Sequence, residues 1–290
     1  MKTKRTISII LALMMLVLAF SACQWGTTDN SSTASNASIT VISREDGSGT
    51  RGAFTELFGV IDENKVDQTA ASAEITNSTS VMMTSVAGDP NAIGYISLGS
   101  LNNTVKAAKI DGADATVANI KDGSYVVSRP FNIAINNNIS ELGQDFVGFI
   151  MSTDGQDIVE KSGYIRMEDT GKYSGTKPSG KLVISGSSSV SPVMEKLIEA
   201  YQEINSAAEL ELQTSDSSTG MKNTIDGICD IGMASREIKD SETSSGLQGI
   251  TIATDGIAVI LNNGSAVENL TKEQVKKIFT GEITKWSDIG

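Results

Sequence analysis

Three times along this chain a short apolar strand runs into a turn of glycine, serine or threonine, and the turn runs into a helix. Ile39-Thr40-Val41-Ile42 leads through Ser43–Thr50 to a helix opening near Arg51, with Phe54, Leu57 and Phe58 on one face. Lys181-Leu182-Val183-Ile184 leads through Gly186-Ser187-Ser188-Ser189 to a helix from about Pro192, where Val193, Leu197, Ile198 and Tyr201 recur at helical spacing. Leu210-Glu211-Leu212-Gln213 leads through Ser217-Ser218-Thr219-Gly220 to a helix carrying Met221, Ile225 and Ile228. Further strands are expected at Ala92–Ser97 and Ile250–Leu261. A helix is expected over Glu141–Lys161, striped by Leu142, Phe146, Phe149, Ile150 and Ile158, and another over Thr271–Phe279, with Thr271 as its cap. Alternating strands and helices imply an α/β architecture.

The 290 residues suffice for roughly two domains. Lys2, Lys4 and Arg5 precede an apolar run, Ile7–Phe20, of about 14 residues; that is too short to cross a bilayer and fits a signal peptide over residues 1–22. Phe20-Ser21-Ala22-Cys23 resembles a bacterial lipobox, which implies lipidation at Cys23. Residues 23–38 read as a polar tether, and 166–180 as an internal polar, glycine-rich linker. If Cys23 carries lipid, Cys229 stands alone; its apolar setting marks it as a small buried thiol.

Composition removes several chemistries. There is no histidine, so Ser-His-Asp and Cys-His nucleophile systems and the usual histidine-containing zinc sites are excluded. A formal charge of −12 argues against a nucleic-acid partner. No P-loop occurs, and no pair of carboxylates is singled out for acid–base work. The turns themselves are more informative. A helix start carries about four unpaired N–H groups and roughly half a positive charge, glycine lets the backbone approach closely, and hydroxyls add donors. Any one of these turns is also what a well-capped helix looks like. Three of them, with Arg44 adjacent, point towards a cradle for an anion.

The stretches Ser43-Arg44-Glu45-Asp46-Gly47-Ser48-Gly49-Thr50-Arg51, Gly186-Ser187-Ser188-Ser189-Val190-Ser191-Pro192, Asp230-Ile231-Gly232-Met233-Ala234-Ser235-Arg236 and Ile278–Trp286 resemble the phosphate-binding lipoproteins of bacterial ABC phosphate importers. Ile93–Gly99 adds to the likeness, which covers residues 39–290. The order of the motifs differs from the usual family chain. Here the chain opens on an inner strand, passes the usual C-terminus, crosses 166–180 and restarts at the usual N-terminus, so that Ile39 and Gly290 should meet in space. The resemblance therefore implies a circularly permuted, two-lobe type II periplasmic-binding-protein fold. One lobe would combine 39–128 with 258–290, and the other would run from 129 to 257.

By the same resemblance, phosphate contacts fall on Arg44, Ser48, Gly49 and Thr50 from one lobe and on Ser188, Ser189, Ser217 and Ser235 from the other. Many relatives carry an aspartate where Ser235 stands, to accept the proton of hydrogen phosphate; Arg236 is expected to add charge there, and Glu237 is an alternative acceptor. The function implied is a phosphate receptor without enzymatic activity, cofactor or metal. It would be held at the outer face of the cell membrane by lipid on Cys23 and would deliver its ligand to a membrane-embedded permease. Receptors for another tetrahedral oxyanion such as sulfate, or a surface hydrolase or interaction protein on the same fold, are the competing readings.

Overall fold

The computed structural model describes residues 36–289. The expected signal peptide, the lipidation site Cys23, most of the tether and Gly290 lie outside the described residues. From the N-terminal side, β1 (Thr40–Arg44) is followed by the helix Gly49–Phe58, β2 (Glu74–Thr76), the helix Thr79–Gly88 and β3 (Ala92–Ser97). Then come β4 (Val105–Ala107), β5 (Lys109–Ile110), the helix Val117–Lys121 and β6 (Ser128–Asn136). The helices Glu141–Met151 and Thr153–Lys161 lead to β7 (Ile165–Arg166), β8 (Gly180–Ser187), the helix Ser191–Ile204 and β9 (Ala208–Ser215). The helix Ser217–Ile225, β10 (Ile231–Ala234), the helix Asp240–Ser244, β11 (Leu247–Asn262), β12 (Asn269–Leu270) and the helix Lys272–Thr280 complete the series.

The principal strands follow the order β2-β1-β3-β11-β6-β10-β8-β9. β1 runs parallel to β2 and β3, and β8 runs parallel to β9 and β10. Between these parallel sets lie the antiparallel neighbours β11 and β6. Ile257–Leu261 of β11 oppose β3, whereas Leu247–Gly256 oppose β6. One strand of 16 residues thus joins both halves of the sheet.

Each half has its own apolar core. The first gathers Phe54, Tyr95, Ile257–Leu261, Phe279 and Trp286; the Tyr95 and Phe54 rings stack at 3.9 Å. The second gathers Phe131, Phe146, Phe149, Leu197, Tyr201 and Ile252. β6 and β11 pass between them, with Val127, just ahead of β6, and Ile257 in the first core and Phe131 and Ala253 in the second. The first core takes residues from both ends of the described chain. Ser38 bridges Lys285, the Ile39 amide donates to the Thr284 carbonyl at 2.8 Å, and the Trp286 amide donates to the Ala37 carbonyl at 3.3 Å.

Several expectations change. The end of the tether, Ala37 and Ser38, is paired rather than loose. The single helix over Glu141–Lys161 is broken at Ser152, whose extended backbone ends one helix while its hydroxyl caps the next by accepting from the Gly155 amide. Residues 166–180 form a bonded strap and not a flexible linker. The Thr153 amide donates to the Gly171 carbonyl, the Tyr173 hydroxyl donates to Asp145, the Thr176 amide donates to Asp145 and Asn205 donates to the Pro178 carbonyl. Met221 is buried as its stripe implies, but Ile228 is 60% exposed and Ile225 is also exposed, because that helix ends at Ile225. Cys229 is buried, and burial pushes its thiol pKa up.

Candidate functional site between the two cores

The parallel strands deliver their carboxyl ends to one place, which is where ligands of such sheets bind. β1 and β2 end beside the starts of the helices Gly49–Phe58 and Thr79–Gly88, in the first half of the sheet. β8, β9 and β10 end beside the starts of Ser191–Ile204 and Ser217–Ile225, in the second. Ser48 caps its helix by accepting from the Arg51 amide, and Asp216 caps another by accepting from the Thr219 amide.

Arg44, at the end of β1, is 1% exposed. Its Nε and Nη2 donate to the two carboxylate oxygens of Glu45, each at 2.7 Å. Nη2 also donates to Ser188 Oγ at 3.0 Å, which carries the contact to the other half of the sheet. Its backbone amide donates to the Tyr95 hydroxyl, whose pKa burial raises to about 12. A planar guanidinium held by a carboxylate keeps its remaining edge aimed in one direction.

Around it the hydroxyls interlock. Thr50 Oγ1 and Ser189 Oγ lie 2.7 Å apart, and Thr79 Oγ1 lies 3.3 Å from Ser189 Oγ. Ser187 Oγ donates to Ser235 Oγ at 3.0 Å, and the Ser235 amide donates to Ser217 Oγ at 3.1 Å. Gly49 faces the last two: a Cβ there would sit 2.8 Å from Ser235 Oγ, so only glycine lets the helix start come this close. Arg44, Gly49, Thr50, Ser188, Ser189, Ser217 and Ser235 are buried and meet in this cluster, whereas Ser48 is buried beside it with its hydroxyl taken by the Arg51 amide.

A profile of the PBP superfamily domain matches residues 5–154 and 171–290. The chain is 54% identical over 269 residues to "Phosphate-binding protein PstS 2" of Streptococcus agalactiae serotype V, covering 91% of this chain and 92% of the relative. The chain belongs to the PBP superfamily, among the phosphate-binding proteins. A crystal structure of a phosphate ABC transporter, phosphate-binding protein from Streptococcus pneumoniae TIGR4 overlays with a TM-score of 0.69 at 44% identity, over 88% of this chain and all of that one. "Phosphate-binding protein PstS" of Bacillus subtilis matches at 34% over 116 residues, 39% of each chain.

In this family member Arg236 turns away from Arg44 and Ser235, towards Glu242 and Ser218 at the edge of the cluster. Its guanidinium grips Glu242 at 2.7 and 2.9 Å and donates to Ser218 Oγ at 3.4 Å. Burial raises the Glu242 pKa, but the bonds from Arg236 and the Lys239 amide outweigh that and hold it below the usual range. Glu237 is exposed and lines an outer cavity of about 420 Å³ with Gly52 and Arg129. The cluster lies between two other cavities. One, of about 530 Å³, is lined by Ser48, Arg51, Ser218 and Arg236; the other, of about 390 Å³, by Thr79, Ser188 and Glu195.

Sequence reasoning missed Thr79 and Arg129, and it held Ser187 and Ser218 only as members of candidate turns, without naming them as contacts. Thr79 opens a further helix start at the cluster. The run Ser78-Thr79-Ser80 ahead of Val81 and Met82 carried the same signal as the other turns. Ser187 supplies a donor to Ser235. Ser218 donates through both amide and hydroxyl to the Gly47 carbonyl at 3.2 Å, joining the two halves. Arg129 had no local signal, because it enters from β6, far from any glycine-serine turn. Among the described residues no cluster of acidic or thiol groups is arranged for a metal, and no helix is long and apolar enough to cross a membrane.

Proposed function

We propose that the protein captures inorganic phosphate between two lobes and delivers it to a membrane-embedded ABC permease, without catalysing a reaction. The lobes are residues 39–128 with 258–290, and residues 129–257. The observation that carries this reading is the convergence of Arg44 with hydroxyls from both halves of the sheet, at four helix starts. Each helix start offers amides with partial positive charge, and Arg44 adds a full one. An acidic protein can hold an anion through such fixed local donors, although its net charge is unfavourable. The names of the relatives support phosphate as the ligand.

The ligand contacts proposed are Arg44, Ser48, Gly49, Thr50, Ser188, Ser189, Ser217 and Ser235, with Thr79 added by the geometry. Secretion and a lipid on Cys23 would hold the receptor at the outer membrane face. The permuted chain order is part of the same proposal. It is supported by the pairing of Ile39 with Thr284, which brings the two ends of the described chain together. Calorimetric titration of residues 24–290 with phosphate and then sulfate tests the function. Saturable phosphate binding, stronger than sulfate binding, is expected; no phosphate binding, or tighter sulfate binding, overturns the reading.

A further inference from the structure

We propose that Arg129 and Asp255 form a positioning pair that sets Ser235 in the anion site and fastens that setting to the two strands passing between the cores. This rests on the phosphate reading above. The two residues face each other across β6 and β11, where those strands leave one core for the other. Both are buried, Arg129 at 4% and Asp255 at 1% exposure. Arg129 Nε and Nη2 donate to Asp255 Oδ2 at 3.3 and 3.1 Å. The other carboxylate oxygen, Oδ1, accepts from Ser97 Oγ at 2.9 Å and the Gly99 amide at 3.5 Å, at the end of β3. The remaining guanidinium nitrogen, Nη1, donates to the Ser235 carbonyl at 3.2 Å. Phe131, on the same face of β6, lies 5.4 Å beneath the guanidinium and steadies its plane.

Two buried charges are expensive to dehydrate, and apolar side chains of similar size often serve stability as well. What apolar residues cannot do is donate to the Ser235 carbonyl. β10 pairs with β6 as far as Ala234 opposite Asn132, so Ser235 stands just past the ladder. Arg129 supplies the donor there. The Ser235 amide donates to Ser217 Oγ, and its hydroxyl accepts from Ser187 Oγ, inside the cluster. One connected series of bonds therefore runs from the end of β3 through Asp255 and Arg129 to an anion-site residue. Arg129 acts through Ser235; it is a positioning residue.

The test compares wild type with the double variant Arg129→Met/Asp255→Leu, which removes both charges while keeping bulk. Three readouts are needed: unfolding temperature without ligand, phosphate and sulfate affinities, and the amide resonances of Ser235 and Ser217 without ligand. The double variant is expected to fold, to bind phosphate at least tenfold more weakly, to change the phosphate-to-sulfate ratio at least threefold, and to shift both amide resonances. A folded double variant with wild-type affinities, ratio and resonances overturns the proposal. Should it fail to fold, Asp255→Asn keeps the packing and loosens only the clamp; a three- to tenfold loss of phosphate affinity supports the proposal and an unchanged value overturns it. Wild type that binds no phosphate defeats the functional reading instead, and the ligand-free resonances still decide the positioning.

Discussion

Arg44 is the side chain whose loss should be felt most in binding, because its charge strengthens every hydrogen bond it makes to an anion. Arg44→Ala is expected to weaken phosphate binding by at least about 3 kcal/mol, two charge-assisted bonds' worth. Ser188→Ala should cost about 1–3 kcal/mol, and Thr79→Val about 1 kcal/mol. Titration calorimetry on the three variants ranks them, and an Arg44→Ala protein that binds like wild type removes Arg44 from the site. Ser235 poses the question of selectivity. Among the described residues, Glu45 is taken up by Arg44 and Asp216 by Thr219, so neither carboxylate bonds a hydroxyl of Ser187, Ser188, Ser189, Ser217 or Ser235 to select an anion that carries a proton over sulfate, which has none to offer. Ser235→Asp should raise the preference for phosphate over sulfate in competition at one pH, and a falling preference argues that Ser235 does not meet the ligand's proton. Asp255 makes a prediction about pH. Burial, opposed by Arg129, raises its pKa to about 6 from 3.8. The folded state then holds the proton more tightly than the unfolded chain, so stability drains away as pH rises between about 4 and 6. Wild type should lose stability relative to Asp255→Asn across that window in urea titrations, and a constant difference would contradict the shift.

The two helices that part at Ser152 show how one element's geometry can rest on one residue. A Cβ at Gly155 would lie 2.6 Å from the Ile150 carbonyl oxygen, so the second helix packs against the carbonyls that end the first. Gly155→Ala should therefore destabilise the fold by about 1–3 kcal/mol, the usual range for overpacking, despite alanine's better helix propensity. Chemical denaturation measures it; a gain in stability would mean the break is loose. Above this pair lies the strap, where Asp145 accepts from Tyr173, Tyr201 and the Thr176 amide. Its composition reads as a linker, yet one tyrosine among the rings of Phe149 and Tyr201 pins it.

Over the whole molecule, the first core depends on segments from opposite ends of the described chain. Phe54 packs on Phe279 with ring centres 4.5 Å apart, and Trp286 donates to the Asn91 carbonyl. If the order is a permutation of the family fold, the chain can be cut elsewhere without losing its contacts. A protein cut between Gly171 and Lys172, with residue 289 joined to residue 38 by a short loop, should fold and bind phosphate within about threefold of the parent, by the tolerance of such cuts at exposed sites. Circular dichroism and calorimetry check this. A product that stays unfolded would show that the strap, and not the 38–285 seam, is the indispensable connection.

The sequence by itself determined the strands around Val41, Ala92, Lys181 and Leu210, and the glycine-, serine- and threonine-rich turns that open helices. These follow from periodicity, glycine placement and hydroxyl caps, all read within a few residues. It did not reveal that Glu141–Lys161 breaks, that the strap is bonded, or that Thr79 joins the cluster. Each depends on a partner distant along the chain. Least legible was Arg129: on β6 it is one more charged residue, and only the pairing of β6 with β11, and the turn of β10 past them, brings Asp255 and the Ser235 carbonyl to its guanidinium. Local pattern records what a residue can donate or bury; which groups receive it is decided when the sheet closes.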